Sequence, residues 1–133
     1  MASVFLEAES FHSLGGWVVE TRSMLQMGSA YLMAHGMGIP VKDAVTRCTI
    51  PERGEWIDWA RTRDWTAVWK RGTPAGTFQV RINGETLPQL LGTNGSTWSW
   101  QKAGTLSLKA GETEIALHDL TGFNGRCDAL FLT

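Results

Sequence analysis

The sequence predicts an all-β fold, an antiparallel β-sandwich. Short segments in which apolar and polar residues alternate follow one another along the 133 residues, with turn signals about every eight to twelve residues. Asn83-Gly84 separates two such segments and is a strong hairpin signal. No stretch shows the apolar repeat of an amphipathic helix. Together, these three observations indicate packed antiparallel sheets.

Each alternating segment is assigned in chain order as a strand. Pro51 ends the segment before it, because proline cannot donate to a central strand ladder. The stretch from Leu117 to Leu130 is predicted to be a long polar loop between the last two strands. The predicted strands are 4–9, 17–20, 31–34, 44–50, 55–62, 78–82, 86–87, 98–100, 106–108, 115–117 and 127–133.

The length and charge limit the classes of partner. A chain of 133 residues can bury roughly two-thirds of its unfolded surface, which predicts one domain over residues 1–133. The net charge of −1 offers no basic face for nucleic acid or an anionic membrane. No apolar run is long enough for a membrane span, and the first residues lack the pattern of a signal peptide. We therefore expect no nucleic acid and no membrane partner.

Two cysteines, Cys48 and Cys127, are too few for a disulfide scaffold and lack zinc-binding spacing. A single bridge is possible in a secreted protein. Two buried free thiols are the favoured prediction.

Glu7 and Glu9 are two residues apart in the first predicted strand, which places both carboxylates on one face. Two adjacent negative charges repel unless water or a cation neutralises them, and calcium prefers oxygen ligands of this kind. A solvated edge strand with its acidic side outward is the alternative.

Motifs that would indicate a common catalytic class are absent. The sequence contains no nucleophile elbow, phosphate-binding glycine loop or His-Glu-x-x-His zinc motif. His118 and Asp119 are adjacent at a strand exit, so their side chains should diverge rather than pair. A small lyase or hydrolase that uses these two residues with Arg61 is the least favoured function.

Seven tryptophans, against one tyrosine and five phenylalanines, favour a binding surface built from flat rings. An aromatic ring can cover the apolar face of a sugar, while polar side chains bind its hydroxyl groups. Loops 63–70 and 118–126 follow strands that should end at the same edge of the sandwich. The predicted ligand-binding residues are Asp64, Trp65, Trp69, His118, Asp119, Phe123, Asn124 and Arg126, with His35 and Trp17 as neighbours.

Purely structural roles are the alternative for the same residues. Each tryptophan could pack in the core, and Asp119 and Asn124 could simply cap turns while Arg126 pairs with Asp119. A sugar site near Trp98 and Trp100 is a further alternative.

Five groups of short motifs follow one another along the chain. They are Leu6-Glu7-Ala8-Glu9, Ile50-Pro51-Glu52-Arg53-Gly54-Glu55-Trp56 with Ala60-Arg61, Val80-Arg81-Ile82-Asn83-Gly84, Leu106-Ser107-Leu108-Lys109-Ala110-Gly111 with Ile115-Ala116-Leu117, and Asn124 with Asp128-Ala129-Leu130. In this order, the chain resembles the galactose-binding-like jelly roll of calcium-containing carbohydrate-binding modules. The resemblance implies a structural calcium ion held by Glu7, Glu9 and Asp128. It also implies a ligand site in the loops at one end of the sandwich or on a concave face.

A second resemblance is carried by the loops. Gly15-Gly16-Trp17, Gln26-Met27-Gly28-Ser29, Ala34-His35-Gly36, Arg63-Asp64-Trp65 and His118-Asp119-Leu120-Thr121-Gly122-Phe123 are similar to a domain attached to bacterial FAD-dependent oxidoreductases and xanthan-lyase-like proteins. The flavin fingerprint is absent, so no flavin is expected in this chain.

The favoured function is a non-catalytic carbohydrate-binding module of a larger bacterial protein that is secreted, periplasmic or displayed on the cell surface. Its expected partners are a polysaccharide or oligosaccharide and the catalytic domain of that protein. A structural or docking sandwich that binds no sugar is the main alternative.

Overall fold

In the part of the chain that the computed structural model describes, the regular structure consists of ten β-strands and one 3₁₀ turn, Ala8–Ser10. The structure describes residues 2–20, 30–65, 76–93, 95 and 97–133, and within them no helix is long and apolar enough to cross a membrane. The strands are β1 (Val4–Glu7), β2 (Val18–Glu20), β3 (Tyr31–His35), β4 (Ala44–Ile50), β5 (Gly54–Thr62), β6 (Phe78–Ile82), β7 (Glu85–Thr86), β8 (Ser99–Leu108), β9 (Gly111–Asp119) and β10 (Phe123–Leu132).

The strands form two antiparallel sheets. The first has the order β2-β3-β10-β5-β8, with β1 also paired to β10, and the second has the order β4-β9-β6-β7. Along one edge of β10, β3 pairs with its first half and β1 with its second half, while β5 pairs along the other edge. The predicted antiparallel sandwich is confirmed.

Alternation along the strands builds the core between the sheets. In β6, Phe78, Val80 and Ile82 are buried, and the two residues between them are only half-buried. Trp56 is 4% exposed, and Trp17 packs edge-to-face on Phe78 with ring centroids 5.6 Å apart. Each fully buried large apolar side chain contributes about 1.5–3 kcal/mol, so this core is the main stabilising term.

The predicted hairpin is confirmed at Asn83-Gly84, between β6 and β7. Both residues have positive φ angles, 51° and 83°, as a two-residue primed turn requires. The Asn83 side chain also accepts a hydrogen bond from the Glu114 N–H at 2.9 Å, which joins the turn to β9.

Two predicted elements differ from the structure. The strand predicted at 4–9 ends at Glu7, and Glu9 lies in the 3₁₀ turn, so the two glutamates do not share a strand face. The long loop predicted from Leu117 to Leu130 is mostly strand, and only residues 120–122 separate β9 from β10. The polar residues of this stretch were interpreted as a loop. An antiparallel sheet, however, accepts polar side chains on its outer face, so a strand can contain them.

The tryptophans divide between core and surface. Trp56 lies in the core, whereas Trp59 and Trp98 are half-buried and Trp100 is 42% exposed. Trp100 contacts Phe5 and Phe131 edge-on, at centroid distances of 6.4 and 6.2 Å. These three rings form an aromatic patch on the first sheet, defined here as the sheet patch.

Both cysteines are free thiols, Cys48 on β4 and Cys127 on β10. Cys127 is fully buried, whereas Cys48 is only half-buried, so the expectation of two buried thiols is right for one of them. Burial raises the pKa of both thiols.

We expect an alkylating reagent to label Cys48 slowly in the folded protein at neutral pH and Cys127 hardly at all, because raised thiol pKa values suppress the reactive thiolate. In denaturant without reductant, intact mass should show two labels. A mass showing two blocked thiols in the unreduced protein would contradict this prediction.

Asp58 on β5 is a buried carboxyl group with no exposed surface, and no hydrogen bond of good geometry reaches either of its oxygens. Burial raises its pKa to about 7, an effect that the backbone N–H of Trp59 only partly opposes. The folded protein therefore keeps this proton up to about pH 7, whereas the unfolded chain releases it near pH 4. Stability should fall as pH rises between these two values, by up to about 4 kcal/mol for a shift of this size.

Asp58→Asn should remove this part of the pH dependence, since the amide cannot ionise. Urea unfolding at pH 5 and pH 8 should show that the free energy of unfolding falls more in the unchanged protein than in the variant. Glu55→Gln, which alters an exposed carboxylate on the same strand, is the control and should keep the original pH dependence. If the free energy of unfolding falls equally between pH 5 and pH 8 in Asp58→Asn and in the unchanged protein, Asp58 is not the source of this pH dependence.

Candidate functional site

The start of β10 carries a β-bulge at Asn124. Phe123 pairs with His35 and Gly125 with Ala34, so Asn124 is an extra residue in the ladder. It adopts a positive φ of 63°, a conformation that asparagine tolerates better than most residues. Bulges re-aim side chains, and here the Asn124 Oδ1 atom lies 2.7 Å from His35 Nδ1. His35 therefore lies beside Asn124, and the role of both residues in binding a ligand stays a prediction.

Beside the bulge, Trp65 and Phe123 stack with ring centroids 5.5 Å apart and an interplanar angle of 26°. The Trp65 Nε1–H donates to the Phe123 carbonyl oxygen at 3.0 Å. Phe123 is 45% exposed, whereas Trp65 is half-buried. Phe123 is thus the more exposed ring, and Trp65 braces it.

Arg126 joins this cluster through cation–π contacts. Its Cζ atom lies 5.3 Å from the Trp65 ring centroid and 6.0 Å from that of Tyr31, distances at which a guanidinium is attracted to an aromatic face. Tyr31 is itself buried against Trp98 at 4.9 Å. Arg126 therefore stiffens the ring cluster from the sheet side.

Asp119 is buried, and its carboxylate accepts three backbone hydrogen bonds. Oδ2 accepts from Val41 N at 2.9 Å and Gly122 N at 2.8 Å, and Oδ1 accepts from Thr121 N at 3.2 Å. These hydrogen bonds fit the turn-capping alternative, and a ligand contact of Asp119 stays a prediction. The carboxylate also ties the chain at Val41 to the β9–β10 turn.

Residues 36–40, defined here as the apex loop, lie on this turn. The Gly122 carbonyl accepts from Gly36 N at 2.9 Å and Gly38 N at 3.1 Å. Gly122 has a φ of 64°, and a Cβ atom there would collide with the Ile39 carbonyl, so only glycine fits. Met37 and Ile39 are 85% and 72% exposed. The sequence indicated only a turn here, because nothing local shows what the loop packs against.

His118 does not reach this site. Its Nδ1 lies 2.9 Å from an Asp43 oxygen, and Arg81 contacts both Asp43, at 3.1 Å, and His118 Nε2, at 3.3 Å. A guanidinium can only donate, so Nε2 accepts and Nδ1 carries the proton. This network belongs to the second sheet, whereas the Arg61 guanidinium pairs with Asp128 at 2.8 Å in the first. The catalytic trio considered from the sequence is therefore not assembled.

Three other predicted residues complete the comparison. Trp17 is 2% exposed and packs in the core, which fits the core-packing alternative and leaves almost no surface for a ligand. Asp64 is buried directly before Trp65, and its N–H donates to the Gly95 carbonyl at 2.8 Å. Trp69 lies outside the described residues, so its predicted role remains a prediction.

Two of the predicted calcium ligands, Glu7 and Asp128, are near enough to the third, Glu9, to affect its pKa. Burial raises the pKa of Glu9, and the nearby carboxylates of Asp128 and Glu7 raise it further, while a backbone hydrogen bond opposes them. Glu9 Oε1 is buried without a hydrogen-bond partner. Asp128 lies at the second irregularity of β10, between Cys127 and Ala129. Across the described part of the chain, however, no three acidic, histidine or cysteine side chains are arranged to hold a metal ion.

Two grooves of the described part of the protein lie away from the ring cluster and the bulge. One groove of about 410 Å³ lies beside Leu87 and Gly104, and another of about 530 Å³ lies beside Arg53 and Leu108. Neither groove is lined by the ring cluster or by the bulge.

No protein-family model and no curated protein matches the chain. Solved structures do. A family 35 carbohydrate-binding module from Clostridium thermocellum has a TM-score of 0.73 and 17% identity, over 99% of this chain and 98% of that one. The C-terminal family 6 module of a marine laminarinase from Zobellia galactanivorans has a TM-score of 0.70 and 18% identity, over 99% of both chains.

A larger protein also contains this fold. The Podospora anserina GH26-CBM35 β-(1,4)-mannanase has a TM-score of 0.73 and 20% identity, over 98% of this chain but only 27% of that one. The loop resemblance to the domain of FAD-dependent oxidoreductases and xanthan-lyase-like proteins remains a prediction. The chain has the β-sandwich fold of these family 35 and family 6 carbohydrate-binding modules.

Proposed function

We propose that the chain is a non-catalytic carbohydrate-binding module whose ligand site is the bulged start of β10. The observation that carries the proposal is the exposed Phe123 ring, braced by Trp65 and placed directly beside the Asn124–His35 pair. The similarity of the fold to solved carbohydrate-binding modules supports the same function.

The proposed roles follow from the chemistry of each group. Phe123 covers the apolar face of a sugar ring. The Asn124 amide and the His35 imidazole bind hydroxyl groups, and the strained bulge holds both at the surface. Trp65 and Arg126 keep the exposed ring in place. One ring and a few hydrogen bonds correspond to a micromolar to millimolar affinity, roughly −8 to −4 kcal/mol.

Phe123→Ala should weaken binding at least tenfold, since central aromatic anchors provide a large share of such energies. Asn124→Ala should weaken it severalfold. Trp65→Ala should lower both affinity and melting temperature, because that ring is half-buried. A glycan array followed by calorimetric titration of the best ligand measures the affinities, and thermal unfolding measures the stability.

Phe5→Ala is the matched control, because Phe5 is 55% exposed on β1, away from the bulge. It should leave the affinity unchanged. If Phe123→Ala and Asn124→Ala both bind like the unchanged protein while Phe5→Ala does not, the ligand site is on the sheet patch instead.

A structural calcium ion is part of the proposal. Glu7, Glu9 and Asp128 would hold it, and the buried, unpartnered Glu9 oxygen is the observation that fits such an ion. A bound cation would relieve the repulsion among the three carboxylates and tie β1 to β10. Asp128 would then share its charge between the ion and Arg61.

Chelation should lower the melting temperature of calcium-loaded protein, because a ligand bound only to the folded state stabilises it. Glu9→Gln should lose most of this calcium response, whereas Glu85→Gln, an exposed glutamate of the other sheet, should keep it. If neither calcium nor chelator changes the melting temperature and elemental analysis finds no metal, the protein does not bind a structural calcium ion.

We further propose that the module belongs to a larger bacterial protein that is secreted, periplasmic or displayed at the cell surface, with a catalytic domain as its covalent partner. The same fold forms 27% of the Podospora anserina mannanase, which supports that arrangement.

The docking alternative has one observation in its favour. The sheet patch exposes Phe5 and Trp100, which gives an apolar contact surface separate from the bulge. If the glycan array shows no ligand, and Trp100→Ala weakens the association of this chain with the catalytic domain of its parent protein, docking is the function.

A further inference from the structure

The apex loop presents two large apolar side chains to solvent beside the proposed sugar site. Met37 and Ile39 are among the most exposed apolar residues described, at 85% and 72%. Gly122 joins this loop to Phe123, because it accepts the hydrogen bonds of Gly36 and Gly38 and immediately precedes the exposed ring. The backbone that carries Met37 and Ile39 is therefore hydrogen-bonded to the residue before Phe123, next to the Asn124–His35 pair.

This loop is held rigidly by hydrogen bonds. Its N–H groups at Gly36 and Gly38 bond to Gly122, Ile39 N bonds to the Gly36 carbonyl at 3.0 Å, and Val41 N bonds to buried Asp119 at 2.9 Å. Met37 keeps a positive φ of 53°, a backbone conformation that is unfavourable for a non-glycine residue. Backbone strain kept in a rigid loop to expose apolar side chains is typical of a preorganised contact surface.

The size and chemistry of this surface limit what it can contact. Three side chains are far fewer than the roughly 20–30 residues that each side of a stable protein interface uses. The Met37 and Ile39 side chains offer no strong hydrogen-bonding group, so a sugar hydroxyl packed against them would lose water without gaining a partner. A methyl group in the same place would gain apolar contact without giving up a hydrogen bond to water. The surface should therefore favour a sugar that carries a methyl group there over one that carries a hydroxyl group.

On the basis of the proposed function, we infer that Met37 and Ile39 form an apolar subsite for a methyl group carried by the bound sugar. The methyl group belongs either to an O-acetyl ester or to C6 of a 6-deoxyhexose. Phe123 covers the ring face of that sugar, Asn124 and His35 bind its hydroxyl groups, and the apex loop selects the decorated unit over the plain one.

Matched pairs of oligosaccharides test this inference. One pair differs only in O-acetylation, and the other compares a 6-deoxyhexose with its parent hexose at one chain end. The unchanged protein should prefer the methyl-bearing member of at least one pair by about fourfold, which corresponds to one buried methyl-sized group. The pair that shows the preference identifies the source of the methyl group.

The combined variant Met37→Asn and Ile39→Thr should reduce this ratio toward one. Asparagine accepts a positive φ and threonine keeps the branched shape, so both changes suit the loop backbone. Ile39→Thr alone should reduce the ratio partly. Leu90→Thr, a change at an apolar residue 44% exposed in the β7–β8 connection, is the control and should keep the full preference.

Equal binding of both members of each pair, or a preference that survives the combined variant, would overturn the apolar subsite. In that case the proposed function stands as long as Phe123→Ala still removes binding. If the unchanged protein binds neither member of any pair and no other glycan, the proposed function and this inference both fail.

Discussion

The pairing of β10 with three strands is the constraint on which the rest of the structure depends. Its second half lies between β1 and β5, and its first half lies beside β3. The ladder is interrupted twice, once around Asn124 and once around Asp128. The candidate ligand site is at the first interruption and the candidate cation ligands are at the second. An irregularity in a central strand re-aims the side chains beside it, which can then face a ligand.

Two buried aspartates show how the same residue type serves different purposes. Asp119 accepts three backbone hydrogen bonds and fixes the relation between the apex loop and the β9–β10 turn. No hydrogen bond of good geometry reaches the Asp58 carboxyl group in the core, so this group is stable there mainly in the protonated form. The first carboxylate orders the candidate site, while the second lowers stability as it ionises.

The candidate site combines parts that come from distant segments. His35, Trp65 and Phe123 lie on or beside three neighbouring strands, and they meet because β3, β10 and β5 are adjacent in the first sheet. The rigid backbone under them is supplied by glycine at 122 and by buried Asp119. A sugar site of this kind depends on preorganisation more than on the number of its contacts, because each hydrogen bond contributes only about 1 kcal/mol.

Alternation of apolar residues and the Asn83-Gly84 turn were sufficient to predict the all-β sandwich, because strand periodicity and primed turns are local properties. The same reasoning grouped His35, Trp65, Phe123, Asn124 and Arg126, and the structure brings pairs of these side chains into contact. It did not reveal that Trp17 packs in the core, that His118 contacts Asp43, or that backbone N–H groups surround the Asp119 carboxylate. Residue type alone does not show whether a ring is buried or which groups a histidine or a carboxylate meets. Only the tertiary structure decided these points, because strand pairing and packing join residues far apart in the chain and bury some polar groups while exposing others.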